Sequence, residues 1–459
     1  MRHQDHAQQP LLRRLIRRLP EPRMDSNARV QLIDVELSGP MRPLAGIDSP
    51  VVRIFVTAHG QAIGMVDLPC PDGTISRSVL QEAISCQLGQ ACADHLRRDG
   101  LREFDDAPGA AAPQCLLDLE PQRPAPLVTV VIPTRNRSAQ LAVCLASLRN
   151  LAYPNFEVIV VDNAPSDEST HEIVSRAASV DARIRYLREP LPGASRARNR
   201  GMTAGTGEIV AFTDDDVVVD RLWLNGLVAG FGEDPDVDIV GGLTIAGQLD
   251  TPAQHAFELY GGMARGYQHR AYDLDRNRGD TLLYPYTPGI FGASNNVAFR
   301  RKAFMDGGGF DLAFGPATPA YSAEDLDAFL STILDGRRIV YEPRAMVRHE
   351  HRRSFSELYW QVFTYSAGSS ALLTKWSLTR PSVAWELAHR LPRILPAALF
   401  HKHRGGPAAG VGAYPPQIRW LERAGYLYGP IAYFRALIWA RGQERKTSSL
   451  DAGHLTLVT

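Results

Sequence analysis

Four apolar runs that recur at nearly constant spacing constrain the fold of this chain most strongly. They begin at Val128, Phe156, Ile184 and Glu208, which are 28, 28 and 24 residues apart. A β-α-β unit takes roughly 30 residues. The first, second and fourth runs are apolar on both faces, as is typical of parallel strands covered by helices on either side. The spacing therefore predicts an α/β domain with a mostly parallel sheet and helices on both faces.

A cluster of three aspartates follows the fourth run. Asp214, Asp215 and Asp216 stand in "FTDDDVVVD", at the kind of strand end where α/β proteins bind ligands. Such carboxylates could instead cap the helix that follows, although Asp220 is better placed for that role. A tight acidic cluster at a strand end more often holds a divalent cation, whose charge offsets the mutual repulsion. The cluster therefore favours a metal site.

Composition sets wider limits. The 459 residues suffice for two or three domains, and 50 basic residues balance 50 acidic ones, so no overall field favours nucleic acid. The five cysteines are scattered without a C-x-x-C pair, which indicates neither a zinc cluster nor a disulfide framework and fits a reducing cytosol. The apolar runs stay below the roughly 18 residues that a membrane span needs. We therefore expect a cytoplasmic protein that does not cross a membrane.

Changes in composition along the chain predict five segments. A basic amphipathic segment (1–26) precedes a small α+β accessory module (27–104), in which polar residues do not converge into an obvious site. A linker rich in proline, alanine and glycine (105–126) leads to the α/β domain (127–353). A helical region (354–459) follows, interrupted by the glycine- and proline-rich stretch "GGPAAGVGAYPP".

Two of these segments leave alternatives open. In "LLRRLIRRLP" one helical face is apolar and the other carries arginines; the apolar residues are Leu11, Leu12, Leu15, Ile16 and Leu19. This helix could dock on its own protein, or it could lie on a membrane surface or contact a partner. The stretch "IRWLERAGYLYGPIAYFRALIWARG" mixes aromatic and basic residues, which suits a bilayer interface. It also suits a helix packed over the catalytic domain, and packing is the favoured interpretation.

Several motifs at the same sheet edge form a specific pattern. "VVIPTRNR" ends the first strand and "VIVVDNAPSDEST" the second, and "PGASRARNRG" and "GEIVAFTDDD" follow. Further along are "FGASNNVAFRRKAFMDGGGFDLAFG", "AEDLD" and "RRIVYEPRAMVRHEH". In this order they resemble the family-2 glycosyltransferases, over roughly residues 127–351. The resemblance implies the GT-A fold of the nucleotide-diphospho-sugar transferases.

The implied activity is inverting transfer of a sugar from a nucleotide-diphosphate donor to a hydroxyl acceptor, in bacterial glycan or glycoconjugate biosynthesis. The acceptor would be a glycan, a lipid-linked molecule or a small molecule. No nucleic acid partner is implied, and peripheral contact with the inner face of the cell membrane is an additional hypothesis. Intact aspartates argue against one rival, a non-catalytic nucleotide-sugar or carbohydrate-binding protein. A sugar-1-phosphate nucleotidyltransferase would need a glycine-rich loop where this chain has "PTRNR".

The resemblance also implies a metal set. The D-x-D motif of the family maps onto Asp214 and Asp216, and Asp216 is the expected direct ligand of Mg²⁺ or Mn²⁺. Asp214 and Asp215 would face the ribose or metal-bound water. His349 matches a histidine that completes the metal shell in many relatives, ahead of His351. Such a cation would stabilise the negative charge that builds on the leaving diphosphate.

A nucleotide pocket is carried over in the same way, because a base edge needs carboxylate or amide partners and phosphates need arginine. Its expected residues are Pro133, Thr134, Arg135, Asn136, Arg137, Asp162, Arg198, Asp214 and Asp215. Arg352 and Arg353 could approach the diphosphate or belong to a solvated basic turn.

The ED motif of the family matches "SAEDLDAFL" and gives Asp325 the position of the catalytic base. A sugar hydroxyl has a high pKa, so a carboxylate must take its proton during attack. Glu324 would orient the acceptor or a neighbouring backbone group. Both acidic residues could equally cap the helix that follows.

Overall fold

The structure is a computed structural model that describes residues 11–21, 30–102, 104, 112–121, 124–400 and 415–455. The predicted glycine- and proline-rich break lies almost wholly outside these residues. The same holds for 105–111 of the predicted linker.

The N-terminal part of the chain forms a small sheet with one long helix. Its elements are α1 (Leu11–Ile16), β1 (Val30–Glu36), β2 (Leu44–Ala45), β3 (Val51–Ala58), β4 (Gln61–Pro69), β5 (Thr74–Ile75), α2 (Arg77–Asp99) and α3 (Gln114–Leu117). β3 lies between β1, to which it is parallel, and β4, to which it is antiparallel. Ser76 caps the start of α2 and Gly100 ends it in the left-handed region. α2 packs its apolar residues against this sheet.

The central part of the chain alternates strands and helices as the spacing predicts. Its elements are β6 (Val128–Thr134), α4 (Ser138–Leu148), β7 (Phe156–Asn163), α5 (Ser169–Ala178), β8 (Ile184–Glu189), α6 (Ala194–Ala204), β9 (Ile209–Thr213), β10 (Val217–Val219), α7 (Trp223–Phe231), β11 (Val237–Ala246), α8 (Pro252–Tyr260), β12 (Arg270–Tyr272), β13 (Asn296–Arg300), α9 (Arg301–Asp306), α10 (Glu324–Leu334) and β14 (Arg338–His349).

These strands form one sheet in the order β10-β14-β11-β13-β9-β6-β7-β8, and β12 pairs with β14. β8, β7, β6 and β9 run parallel to one another, as do β11 and β14. β13 is antiparallel to both of its neighbours, β9 and β11. The predicted α/β class, with helices on both faces, is confirmed.

Alternate residues of the parallel strands contribute to two hydrophobic cores, one on each face of the sheet. Val130 packs with Leu145 and Trp223 on the face covered by α4, α5 and α7, whereas Val131 packs on the face covered by α6 and α10. A Cβ atom at Gly201 would lie 2.4 Å from Val131 Cγ1. Glycine at this position therefore lets α6 lie close against the sheet.

The C-terminal part of the chain is helical, with α11 (Phe355–Thr379), α12 (Pro381–Phe400) and α13 (Pro416–Leu455). α13 lies along α11 and buries one face, including Ile418, Ala432 and Ala436. Its other face carries a stripe of side chains that are each more than half exposed: Trp420, Leu427, Ile431, Phe434 and Ile438. Packing over the rest of the protein therefore accounts for only one face of this helix. Among the described helices, none combines the length and apolar character that crossing a bilayer requires.

α1 also docks on α11. Ile16 is buried in the cluster that includes Leu358 and Tyr359, and the guanidinium of Arg13 lies 5.5 Å from the ring centre of Trp360. Leu15 and Leu19 remain exposed. The apolar face of this short helix is thus partly used by its own protein.

Candidate active site

The three aspartates lie between β9 and β10 and line a cavity of about 1080 Å³. The end of β6, helix α6, the start of α10 and the end of β14 line the same cavity. They meet there because the carboxyl ends of parallel strands open at one edge of the sheet.

Asp216 and His349 come together through strand pairing. β10 runs antiparallel to the end of β14 with Val217 opposite His349, so His349 Nε2 lies 3.5 Å from Asp216 Oδ1. His349 is the last residue of β14 and is buried. Burial lowers the pKa of His349 to about 4, so the imidazole is neutral at neutral pH, the form that can bind a metal.

Two further side chains hold His349 in place. His349 Nδ1 lies 3.0 Å from His351 Nδ1, and His351 Nε2 lies 2.9 Å from Glu258 Oε1. Glu258 Oε2 also accepts a hydrogen bond of 3.2 Å from Arg53 of β3. His351 therefore supports His349, as residues behind metal-binding histidines do. No sequence motif indicated a role for Glu258 or Arg53.

Asp214 is turned away from this pair. Its Oδ1 atom accepts a hydrogen bond of 2.9 Å from Arg198. Within the described residues, no set of three or more histidine, cysteine or carboxylate ligands gathers at the three aspartates. Asp216 and His349 would therefore supply two ligands and leave the other positions of a divalent cation to phosphates and water, an arrangement that suits Mg²⁺ and Mn²⁺. An imidazole beside a carboxylate suits Mn²⁺ better than Mg²⁺.

Asp215 anchors the loop after β6. Its two oxygens accept hydrogen bonds of 2.7 Å each from Thr134 Oγ1 and Arg137 Nη1. Burial raises the pKa of Asp215 to about 7, and the Arg137 guanidinium opposes that rise. Arg137 also donates a hydrogen bond of 2.9 Å to Asp216, and Arg352 Nη1 lies 3.7 Å from the same carboxylate. Burial alone would raise the pKa of Asp216, but His349 and these two arginines lower it.

The structure brings most of the expected nucleotide-binding residues to the cavity. Those lining it are Pro133, Thr134, Arg135, Arg137, Arg198, Asp214 and Asp215, together with Arg352. Arg353 instead pairs with Asp250 at 3.4 Å.

Asn136 and Asp162 are not among the residues that line the cavity in the described part of the chain. Asn136 Oδ1 accepts a hydrogen bond of 3.0 Å from the backbone N–H of Ser166. Asp162 is fully buried, and its Oδ2 accepts one of 2.9 Å from Tyr186. Asn163, the next residue along, lines the cavity instead, because successive side chains of a strand point in opposite directions.

Arg198 links the two acidic motifs. Its buried guanidinium donates hydrogen bonds of 2.7 Å to Glu324 Oε1, 2.9 Å to Asp214 Oδ1 and 3.1 Å to Ser294 Oγ. Burial acts to lower the pKa of Arg198, but Asp214, Glu324 and Asp325 outweigh it and raise that pKa. Much of the hydrogen-bonding capacity of Arg198 is therefore directed at protein carboxylates.

Asp325 lies in the first turn of α10 and faces the cavity. Its Oδ2 accepts a hydrogen bond of 2.8 Å from the backbone N–H of Ser294, and its Oδ1 one of 2.8 Å from that of Leu326. Burial raises the pKa of Asp325, and these N–H groups oppose the rise. Burial likewise raises the pKa of Glu324 to about 7, against the pull of Arg198. Neither is the N-cap residue of α10, which is Ala323 and makes no side-chain capping hydrogen bond.

Asp327 is not available for catalysis at this cavity. It is buried between Lys375 Nζ, at 2.6 Å, and Trp376 Nε1, at 2.9 Å. The opposite wall of the cavity comes from the N- and C-terminal helices, which sequence reasoning did not connect with the site. Their lining side chains include Arg13, Trp360, Tyr365 and Trp439.

The α/β domain thus carries, at one edge of its sheet, a cavity that brings together two acidic motifs, the arginine that links them and a carboxylate–histidine pair. Residues 129–308 match the model of the family described as Glycosyl transferase family 2, so this part of the chain is similar to that family.

Individual relatives are more distant. The pre-mycofactocin glycosyltransferase of Mycobacterium tuberculosis is 29% identical over 286 residues, which cover 60% of this chain and 55% of that protein. The hyaluronan synthase of Pasteurella multocida is 28% identical over 218 residues, 43% of this chain and 22% of that protein. The chain thus spans about half the length of the mycobacterial relative and less than a quarter of the length of the hyaluronan synthase.

One similar solved structure is the mannosyltransferase PcManGT from Pyrobaculum calidifontis in complex with GDP-Man and Mn²⁺. It is 20% identical, with a TM-score of 0.41, over 73% of this chain and 81% of that one. The structure of S. aureus TarS 1–349 is 18% identical with a TM-score of 0.38, over 70% of this chain and 91% of that one.

Proposed function

We propose that this protein is an inverting, metal-dependent glycosyltransferase that moves a sugar from a nucleotide-diphosphate donor to a hydroxyl acceptor in bacterial glycan or glycoconjugate biosynthesis. The observation that carries the proposal is the arrangement in one cavity of Asp325, Arg198 and the Asp216–His349 pair. A carboxylate base and a cation site on one surface are what this transfer needs.

Binding of the donor diphosphate is assigned to the charged residues of the cavity. Asp216 and His349 would hold Mn²⁺ or Mg²⁺, which when bound supplies positive charge opposite the diphosphate. Arg137 and Arg352 both reach Asp216 and line the cavity. Their guanidinium groups can therefore contact phosphate oxygens at the same place. Asp214, partly exposed beside Arg198, would face the ribose.

The acceptor side is assigned to Asp325. Its carboxylate would take the proton of the acceptor hydroxyl while that oxygen attacks the anomeric carbon. The bond from that carbon to the diphosphate breaks in the same displacement, and the configuration inverts. The raised pKa of Asp325 makes the carboxylate a stronger base than an exposed aspartate. The two backbone N–H groups that it accepts from keep it oriented.

The helical wall opposite Asp325 would receive the acceptor. Trp360, Tyr365 and Trp439 offer aromatic surface there, and such side chains combine a large apolar area with a polar tip. This wall is continuous with α13, whose exposed apolar stripe carries Trp420 and Phe434. We include in the proposal reversible contact of that stripe with an anionic membrane at the inner face of the cell membrane, where a lipid-linked acceptor would be reached.

A panel of nucleotide sugars tests the proposal. The protein with Mn²⁺ is expected to release nucleoside diphosphate from one donor when a suitable acceptor is present, and a thermal-shift screen of nucleoside diphosphates identifies the base first, because a ligand of the folded state stabilises it. Binding without release would indicate a non-catalytic module. Formation of a nucleotide sugar from a nucleoside triphosphate and a sugar 1-phosphate would indicate a nucleotidyltransferase instead.

A further inference from the structure

A second cluster of metal-binding side chains lies away from the cavity, in the N-terminal module. His59 stands in the turn between β3 and β4, His95 and Asp99 lie on the last turns of α2, and Cys115 lies on α3. One ligand atom from each falls within 4.8 Å of all the others. Polar residues of this module do converge, contrary to the expectation from the sequence.

The separations match the edges of a coordination tetrahedron. His59 Nδ1 lies 3.2 Å from His95 Nε2, 3.2 Å from Asp99 Oδ2 and 3.6 Å from Cys115 Sγ, and His95 Nε2 lies 3.2 Å from Asp99 Oδ2. Zinc bonds of roughly 2.0 Å to nitrogen or oxygen and 2.3 Å to sulfur give edges of about 3.3 to 3.6 Å.

The cluster is buried, and one of its carboxylate oxygens makes no hydrogen bond. The side chains of His59, His95 and Asp99 are 4%, 2% and 0% exposed, and Cys115 is 1% exposed. Asp99 Oδ2 makes no hydrogen bond within the described residues. Its other oxygen accepts one of 3.0 Å from the backbone N–H of Cys115, which aims Oδ2 at the histidines. The two imidazole nitrogens that lie 3.2 Å from this oxygen make no hydrogen bond to it in this geometry, and a buried carboxylate oxygen in that state is costly unless a cation meets it.

Backbone conformation also supports a built site. His59 has φ 52° and Gly60 has φ 74°, the pair of left-handed residues that a two-residue hairpin turn requires. Asparagine or glycine would normally stand first in such a turn. Histidine there places a ring over the end of α2.

The four side chains would bind a cation in their deprotonated forms, Cys115 as a thiolate and both histidines as neutral imidazoles, and binding would release the thiol proton. Arg98 Nη2 lies 2.8 Å from His95 Nδ1 and must turn away when Nδ1 carries the proton, which its exposed position on α2 allows.

The surroundings of His269, which also include acidic side chains, differ from those of His59 and His95. His269 lies between Glu233 and Glu342, with one carboxylate at each ring nitrogen. That arrangement suits a protonated histidine, because both nitrogens then donate. In the cluster of His59, each histidine turns a single nitrogen toward the common centre.

We propose that His59, His95, Asp99 and Cys115 bind one Zn²⁺ ion in a closed, structural site. Four protein ligands leave no open position, and two imidazoles, a thiolate and a carboxylate form a donor set that zinc prefers. The ion would join the β3–β4 turn, the end of α2 and the segment that leads to β6. It would thereby fasten the module that carries Arg53.

Metal analysis of the full-length, tag-free protein tests the site. We expect about one zinc per chain, retained after dialysis against excess Mn²⁺. Asp99→Asn and Cys115→Ser should each lose most of the zinc. Cys86→Ser changes an exposed cysteine of α2, the helix that carries Asp99, and should keep it. Asp216→Asn should also keep it, which separates this ion from the one proposed for catalysis.

Cobalt provides a readout on the wild-type protein itself, with one variant to identify the sulfur ligand. Co²⁺ added to zinc-depleted wild-type protein should give the visible bands of a tetrahedral complex and a sulfur-to-cobalt charge-transfer band. The second band should disappear in Cys115→Ser. Wild-type protein that holds less than about a tenth of a zinc per chain and gives no tetrahedral cobalt spectrum would overturn the proposal.

Discussion

The guanidinium of Arg198 donates a 2.7 Å hydrogen bond to Glu324, a residue 126 positions further along the chain. The same guanidinium holds Asp214 at 2.9 Å. The aspartate cluster after β9 and the acidic start of α10 are thereby fixed relative to each other by one buried side chain.

Arg198→Met should lower stability and activity together. It leaves Glu324 buried without its partner, and breaking a buried ion pair in this way costs roughly 3–5 kcal/mol. Glu324→Gln keeps an acceptor oxygen for Arg198 and should cost less. Urea denaturation and turnover of both variants check this order. Equal stability of Arg198→Met and wild type would show that the link is dispensable.

His349→Gln should raise the Mn²⁺ concentration needed for half-maximal transfer, and Asp216→Asn should abolish transfer. Each variant removes a proposed ligand while nearly keeping its shape, and Asp216→Asn also removes a negative charge. Asp250→Asn, at an exposed ion pair with Arg353, is the matched control. Full activity of either variant in excess chelator would contradict metal-dependent transfer.

Asp325→Asn should lower turnover by roughly 10²- to 10⁴-fold, the loss expected when a general base is removed. Donor binding should stay near the wild-type value. Asp335→Asn, near the exposed end of the same helix, should leave turnover unchanged. NMR of the wild-type product should show one anomer of inverted configuration; retained configuration would rule out a single displacement.

His269 should make stability depend on pH in the alkaline range. Hydrogen bonds to Glu233 and Glu342 raise its pKa to about 9, and Arg344 shares Glu342. Because the folded pKa exceeds the unfolded one, the stabilisation is fully present below about pH 6.5 and is lost as the pH rises through about 9. The fall in urea midpoint between pH 6 and 9.5 should therefore be smaller in His269→Gln than in wild type. His171→Gln, an exposed histidine, should behave like wild type.

Ile431→Glu and Phe434→Glu should weaken binding to anionic vesicles at low salt, since both lie in the exposed stripe of α13. Cosedimentation with vesicles measures this, and binding should fall with added salt. Val180→Glu, which changes an exposed apolar residue beyond α5, is the control and should bind the vesicles as wild type does. If wild-type protein stays in the supernatant, the stripe does not bind membranes.

The parallel half of the sheet and the place of its acidic cluster could be predicted from local sequence patterns alone. Strands begin at Val128, Phe156 and Ile184, where the apolar runs begin. The reason is local: a buried strand must be apolar, and its ending in polar residues is visible in a few letters. For the same reason, local patterns predict that Asp216 and Asp325 lie at the ends of elements that open on one edge of the sheet.

Which side chains meet in the cavity and in the N-terminal module could not be predicted in the same way. Asp162 and Asn163 are neighbours in the sequence, yet only Asn163 reaches the cavity. Asp214 pairs with Arg198 and not with Asp216 and His349. His59 and Cys115 are 56 residues apart and meet only because β3, α2 and α3 pack together. Contacts of this kind depend on packing between distant elements, which no local pattern of residues encodes.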